Sequence, residues 1–268
     1  EGGRFFYNKA MTGFNFERLI GSYEDFIGLL RKAENEDVVD TVAIQSAPIN
    51  DYYPKFLEHN NFDIFSESVV ARCWIGGRSI VQAHYDDAEN IACVVQGKRR
   101  FVLFPPEQIE NLYVGPLEFT PAGAPISMVN LNAPDWDKFP KFRQALNHAL
   151  VADLEPGDAI YIPSLWWHHV EALGPTNMLV NFWSGGSIAG KVKPVPADTL
   201  LMALMTIKDL PSAHKQGWQA LFNHFVFDEQ EEVTQHIPKQ SLGVRGKMTE
   251  KLSQNVKQWL ISQLSDKG

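Results

Sequence analysis

The residues that could do chemistry lie between positions 84 and 181. His84-Tyr85-Asp86 places an imidazole and a carboxylate two residues apart at the end of a strand-like run. Side chains alternate along a strand, so His84 and Asp86 share one face and can bind a single metal ion. A third ligand must come from elsewhere, and the best candidate is His168 in Pro163-Ser164-Leu165-Trp166-Trp167-His168-His169, 82 residues after Asp86. Two histidines and one carboxylate on one face of iron leave three positions open, enough for a bidentate keto acid and dioxygen. Each piece alone is weak. A His-x-Asp is common by chance as a surface pair, and a His-His after two tryptophans is more often a packed strand start. The combination carries the signal. His59, His148, His214, His224 and His236 have no partner pattern and read as structural or solvated.

Short strands must position these groups. The pattern predicts strands over 69–75, 79–85, 91–96 and 99–104, then over 150–154, 159–162, 169–172 and 178–183. Gly76-Gly77, Asn90, Gly97 and Glu155-Pro156-Gly157-Asp158 punctuate them. Pro105-Pro106 stops one strand and opens a short helix over 107–112. Residues 113–148 form a Pro-rich connection with a helix near 138–147, and connections this long inside a β domain are often functional. Upstream, Ser22 caps a helix over 22–33, followed by a strand over 37–44 and a short helix over 51–59. Downstream, helical spacing runs over 197–208, 212–227 and 247–264, the last with Leu252, Val256, Leu260 and Leu264 on one side. Many short strands with tight turns imply a sandwich or barrel, and the flanking helices make the whole α+β. The expected organisation is an N-terminal flank (1–68), a β core (69–184, with the 113–148 insert) and a C-terminal helical region (185–268).

Composition narrows the class. A chain of 268 residues with 44% apolar and 21% charged residues is ordinary for a soluble globular protein. The net charge of −8 lowers the expectation of DNA or anionic-membrane binding, and no run is long enough to cross a bilayer. Cys73 and Cys93 sit in apolar runs without zinc spacing, which favours buried, reduced thiols. Glu1-Gly2-Gly3-Arg4 has no apolar signal core and no initiator Met, and reads as a trimmed start. The expected setting is reducing and cytoplasmic.

Five segments together resemble a known family. They are His84-Tyr85-Asp86 with Asn90, the run Gly97 to Pro106, the run Gly157 to Pro163, Trp166-Trp167-His168-His169, and Asn181-Phe182-Trp183. Across residues 69–184 the chain is similar to the JmjC and cupin-like Fe(II)- and 2-oxoglutarate-dependent oxygenases, most closely the asparaginyl-hydroxylase branch that inhibits hypoxia-inducible factor. The resemblance implies a double-stranded β-helix, with His84, Asp86 and His168 as iron ligands and His169 as a neighbour. Fe(II), 2-oxoglutarate and O2 are the implied cofactor and co-substrates. Asn90 and Asn181 match positions near the iron and the keto-acid head, where an amide donates to a carboxylate without adding charge. The family usually places a Lys fifteen residues after the first ligand His. Here Arg99 stands there, with Lys98 before it as second choice. Arg99 has inward strand parity, and a guanidinium holds a carboxylate bidentately.

Two departures stand out. Val81 replaces a Thr that relatives often carry three residues before the first His, and Val42-Ala43-Ile44-Gln45 replaces a segment that often holds a Tyr. The carboxylate pocket has therefore been rebuilt, and Gln45 loosely matches a substrate-contacting Gln. Trp74, Trp166, Trp183 and the insert are candidate walls of the site, or core. The resemblance favours hydroxylation of a protein side chain, ahead of a tRNA base or a small metabolite. A metal-binding cupin without keto acid and a binding scaffold are the rival readings. The C-terminal helices are expected to form a homodimer.

Overall fold

In a computed structural model of the chain, residues 2–35, 41–60, 64, 69–186, 194–229 and 233–265 are described. The chain divides into two compact units, residues 1–193 and 194–268.

The first unit begins with β1 (Arg4–Phe5), α1 (Tyr23–Asn35), β2 (Ala43–Pro48), α2 (Ile49–Tyr52) and α3 (Pro54–His59). Eight strands and one further helix follow: β3 (Val69–Gly76), β4 (Ser79–His84), β5 (Glu89–Gln96), β6 (Arg99–Phe104), α4 (Phe142–Leu146), β7 (Leu150–Leu154), β8 (Ala159–Ile162), β9 (Trp167–Ala172) and β10 (Asn177–Ser184). They form two five-stranded sheets, ordered β1-β4-β9-β6-β7 and β2-β3-β10-β5-β8. From β3 to β6, successive strands alternate between the sheets, and β8, β9 and β10 alternate again. This winding is a jelly-roll, or double-stranded β-helix, with flanking helices. Every named pairing is antiparallel except β1 with β4. Gly97, at φ 77°, makes one of the turns between sheets, and a Cβ there would come within 2.3 Å of Asn177 Oδ1.

Three apolar clusters follow from strand alternation. Phe101, Leu103 and Val170 of one sheet meet Ala92, Val94, Ile162 and Leu179 of the other between the sheets. Ala71, Cys73, Ile75, Val180 and Phe182 point the other way and are covered by Phe26 and Leu30 of α1 and by Ile49. Phe104 and Trp167 pack under Leu112, Val129, Phe142 and Ala145. The 113–148 insert is therefore mostly a cover for the outer face of one sheet. Burying each such side chain stabilises the fold by about 1.5–3 kcal/mol.

Local departures from expectation have local causes. The expected helix over 51–59 is two short helices, because Pro54 has no N–H and Tyr53 leaves helical geometry at φ −138°. The strand expected over 37–44 forms as Ala43–Pro48, where it pairs with β3; residues 37–40 lie outside the described residues. The helix expected near 138–147 is confined to Phe142–Leu146. Residues 107–112 form a 3-10 turn, Pro106–Leu112. Ser22 caps α1 as anticipated: its hydroxyl accepts from the Asp25 N–H at 3.1 Å, and Asp25 accepts from the Ser22 N–H at 3.0 Å. Cys73 and Cys93 are both free and both lie opposite Val180, on the strands either side of it. That separates their Cα atoms by roughly 10 Å, beyond disulfide reach.

The second unit contains α5 (Pro196–Thr206), α6 (Ser212–Phe222), a π-turn at Asn223–Phe227 and α7 (Glu250–Ser265). None of these three helices has a fully buried residue. Among the described residues no helix is long and apolar enough to cross a membrane.

Candidate metal centre and adjoining pocket

His84 and His168 face each other directly across the β4–β9 ladder, with ring centroids 4.2 Å apart. Opposed residues in an antiparallel pair project to the same face, so both imidazoles point between the sheets. Asp86 lies just beyond the end of β4. Its backbone carbonyl accepts from the Leu165 N–H at 2.7 Å, which ties it to the turn leading into β9. Leu165 makes that turn at φ 65°, in the left-handed region that a leucine seldom enters. One Asp86 carboxylate oxygen lies 3.6 Å from His168 Nε2, and donor atoms of His84, Asp86 and His168 all fall within 4.8 Å of one another. Adjacent ligands on a metal with bonds of roughly 2.1 Å sit about 3 Å apart, so little inward adjustment is needed.

The imidazoles are prepared as ligands by their other nitrogens. Nδ1 of His84 bonds to the Gln82 carbonyl at 2.8 Å, and Nδ1 of His168 to the Trp166 carbonyl at 3.0 Å. A carbonyl only accepts, so both Nδ1 atoms carry the proton and both Nε2 lone pairs are left for a metal. Burial, and then the adjacent His84, hold the His168 pKa down at about 4, which keeps it in the neutral, ligating form. Two neutral imidazoles and one carboxylate fit a divalent metal such as Fe(II). His169 points away: its Nε2 pairs with Glu171 Oε1 at 3.0 Å.

The pocket further along the inner surface is lined by Ile44, Gln45, Trp74, Ser79, Val81 and Arg99, among others. Arg99 lies opposite Ala172 on β9, four residues from the Leu103–His168 pair. The two positions are thus roughly 13 Å apart along the strand. Arg99 is only 6% exposed, and no carboxylate among the described residues pairs with it. Its Nε is buried without an acceptor. Desolvation lowers its pKa to about 10, which leaves it cationic at neutral pH. Lys98 is instead exposed and ion-paired with Glu155 at 2.5 Å, so it is no part of the pocket. Asn181 donates from Nδ2 to Asn90 Oδ1 at 2.8 Å; both are buried, and Asn181 Oδ1 has no partner.

Other parts of the chain reach the site as well. The insert touches it at Ile126, which bridges to His84, and at Ser127, whose N–H donates to the Ala83 carbonyl at 2.7 Å. Trp74 and Trp166 pack against the interior cluster, and Trp74 meets Trp183 edge-on at 6.3 Å. Sequence reasoning missed Gln82, which is 1% exposed, accepts from Arg4 Nε at 3.0 Å and donates to the Val129 carbonyl. It braces β4 two residues before His84. A lone Gln in an apolar run was its only trace.

The topology defines a double-stranded β-helix, and three side chains that could hold a metal ion converge on its inner face. Residues 1–185 match the cupin-like domain family, and the chain belongs to it. HSPB1-associated protein 1 of Homo sapiens is 36% identical over 112 residues, covering 41% of this chain and 22% of that protein. Jumonji C domain-containing protein 5 of Drosophila melanogaster is 33% identical over 117 residues, covering 43% of this chain and 28% of its own length. tRNA wybutosine-synthesizing protein 5 of Mus musculus is 37% identical over 87 residues, covering 32% of this chain and 25% of its own length. The matches thus span about a quarter of each of these relatives.

Proposed function

We propose that this protein is an Fe(II)- and 2-oxoglutarate-dependent oxygenase that hydroxylates a C–H bond, with a protein side chain as substrate. His84, Asp86 and His168 are the residues that would hold the metal. The observation that carries the reading is Arg99: a buried guanidinium with no acid partner among the described residues, on the same inner surface as the proposed ligand set. An unpaired buried charge is destabilising by several kcal/mol, so the site calls for an anion. A five-carbon keto diacid has the reach to chelate a metal with one end and meet Arg99 with the other. When bound, the metal and keto acid would together supply the electrons that reduce and so activate dioxygen, which is the oxidant. The chain's own residues orient and enclose. Arg99 holds the distal carboxylate, Asn90 and Asn181 place amides near the metal, and the apolar walls exclude water.

The protein-substrate reading rests on the likeness to asparaginyl hydroxylases and on the acidic charge balance, which disfavours nucleic acid. The similarity to a tRNA wybutosine-synthesizing protein keeps a tRNA base as the second reading. The unpaired Arg99 also argues against a metal cupin that uses no keto acid. The two free thiols suit the reducing cytoplasm. The C-terminal helices, with Trp259 at 61% and Ile261 at 62% exposed, support a homodimer through this region. Light scattering that shows a monomer at micromolar concentration removes that part of the proposal.

The primary test is an anaerobic titration of purified protein with Fe(II) and 2-oxoglutarate, followed by the visible charge-transfer band of a chelated keto acid. The band should form with the native chain and be lost in Asp86→Ala. Bound iron with no band would favour the metal cupin.

A further inference from the structure

We propose that the Trp74 indole N–H is the second donor to the distal carboxylate of the keto acid, and with Arg99 forms a two-donor seat that selects dicarboxylates. This rests on the oxygenase reading above. Trp74 and Arg99 line the same pocket, although they come from opposite sheets. Trp74 Nε1 and Arg99 Nε are both buried, and neither has a hydrogen-bond acceptor among the described residues. A donor orphaned in the interior is costly, and two in one pocket share one remedy. A carboxylate accepts only, with lone pairs enough for both.

Val81 and Ile44 offer no hydroxyl; the other side-chain donors of the lining are Gln45 and Ser79, and Ser79 lies in line with Arg99 across Ala172. Trp74 is the aromatic donor available on the facing sheet. Its ring meets the Trp183 ring edge-on at 88°. Trp183 Nε1 is also unpartnered, yet Trp183 does not line this pocket. Trp74 is therefore a binding residue for the distal carboxylate, and it acts on co-substrate choice.

The test compares two keto acids on the Fe(II)-loaded, anaerobic protein, read by the charge-transfer band. 2-Oxoglutarate carries the distal carboxylate and 2-oxobutyrate lacks it. Trp74→Phe keeps the aromatic wall and removes only the N–H. It should weaken 2-oxoglutarate about tenfold, the size of a lost hydrogen bond to a charged group, and leave 2-oxobutyrate unchanged. Trp74→His, which retains a ring N–H, should recover part of the loss. Equal weakening of both keto acids would mean a packing role only, and no change with either would mean that the indole does not bind the carboxylate; both overturn the proposal. If the native protein gives a band with neither keto acid, the oxygenase reading itself fails and this inference falls with it.

Discussion

Val81 and His84 stand three residues apart on β4, yet both face the inside of the barrel. Val81 lies opposite Val170 and His84 opposite His168, so three steps on β4 match two on β9. The extra residue is a β-bulge, and it returns His84 to the face that simple alternation would deny it. The three candidate metal ligands and the Arg99 pocket thereby share one inner surface.

That relationship makes Val81 a direct probe of the pocket. Val81→Thr places a hydroxyl beside the proposed carboxylate seat. Affinity for 2-oxoglutarate, titrated through the charge-transfer band, should rise by roughly two- to tenfold. Without ligand the same variant should be less stable by about 1 kcal/mol, because the hydroxyl is then buried unpaired. Stability lost with no gain in affinity would place Val81 outside the seat.

Arg99 should trade stability for binding. Arg99→Met removes a buried, unpaired cation, so the ligand-free protein should unfold at equal or higher urea concentration, by up to about 1–4 kcal/mol. Arg99→Ala should weaken 2-oxoglutarate while Fe(II) affinity is spared. Unchanged keto-acid affinity in Arg99→Ala would show that another cation does the work.

Metal binding should register as thermal stability. A divalent metal at a hundredfold above its Kd stabilises the folded state by about 2.7 kcal/mol, visible as a rise in melting temperature that a chelator reverses. His84→Ala and His168→Ala should abolish the rise. His169→Ala should keep it, because that ring is turned toward Glu171.

The outer face of β9 should be acid-labile. The hydrogen bond from His169, and then Asn132 and Arg100, hold the Glu171 carboxyl below its ordinary 4.5. A carboxylate with a depressed folded pKa stabilises the fold above its unfolded value, and that contribution is lost as pH falls through the folded one. The stability advantage of the native chain over Glu171→Gln should therefore be full near pH 6 and shrink below about pH 4.5. Urea midpoints measured from pH 7 to pH 3.5 would show it, and a gap that does not narrow with acid would assign Glu171 no such role.

Much of the barrel was legible in the chain itself, because its signals are local. Alternation over 69–104 and 150–183, broken by Gly97 and by Glu155 to Asp158, marks strands whatever surrounds them. The His-x-Asp spacing and the inward parity of Arg99 are local in the same sense. The tertiary structure decided what depends on pairing across the chain. It set His168 opposite His84, sent His169 to Glu171, tied Lys98 to Glu155, and brought the Trp74 Nε1 and Arg99 Nε donors, neither with a partner among the described residues, to one pocket. It also recruited Arg4–Phe5, too short to show any period, as a strand beside Ile80 and Val81. Register, the β4 bulge and the exclusion of water arise only when distant segments meet, and no pattern within a single segment encodes them.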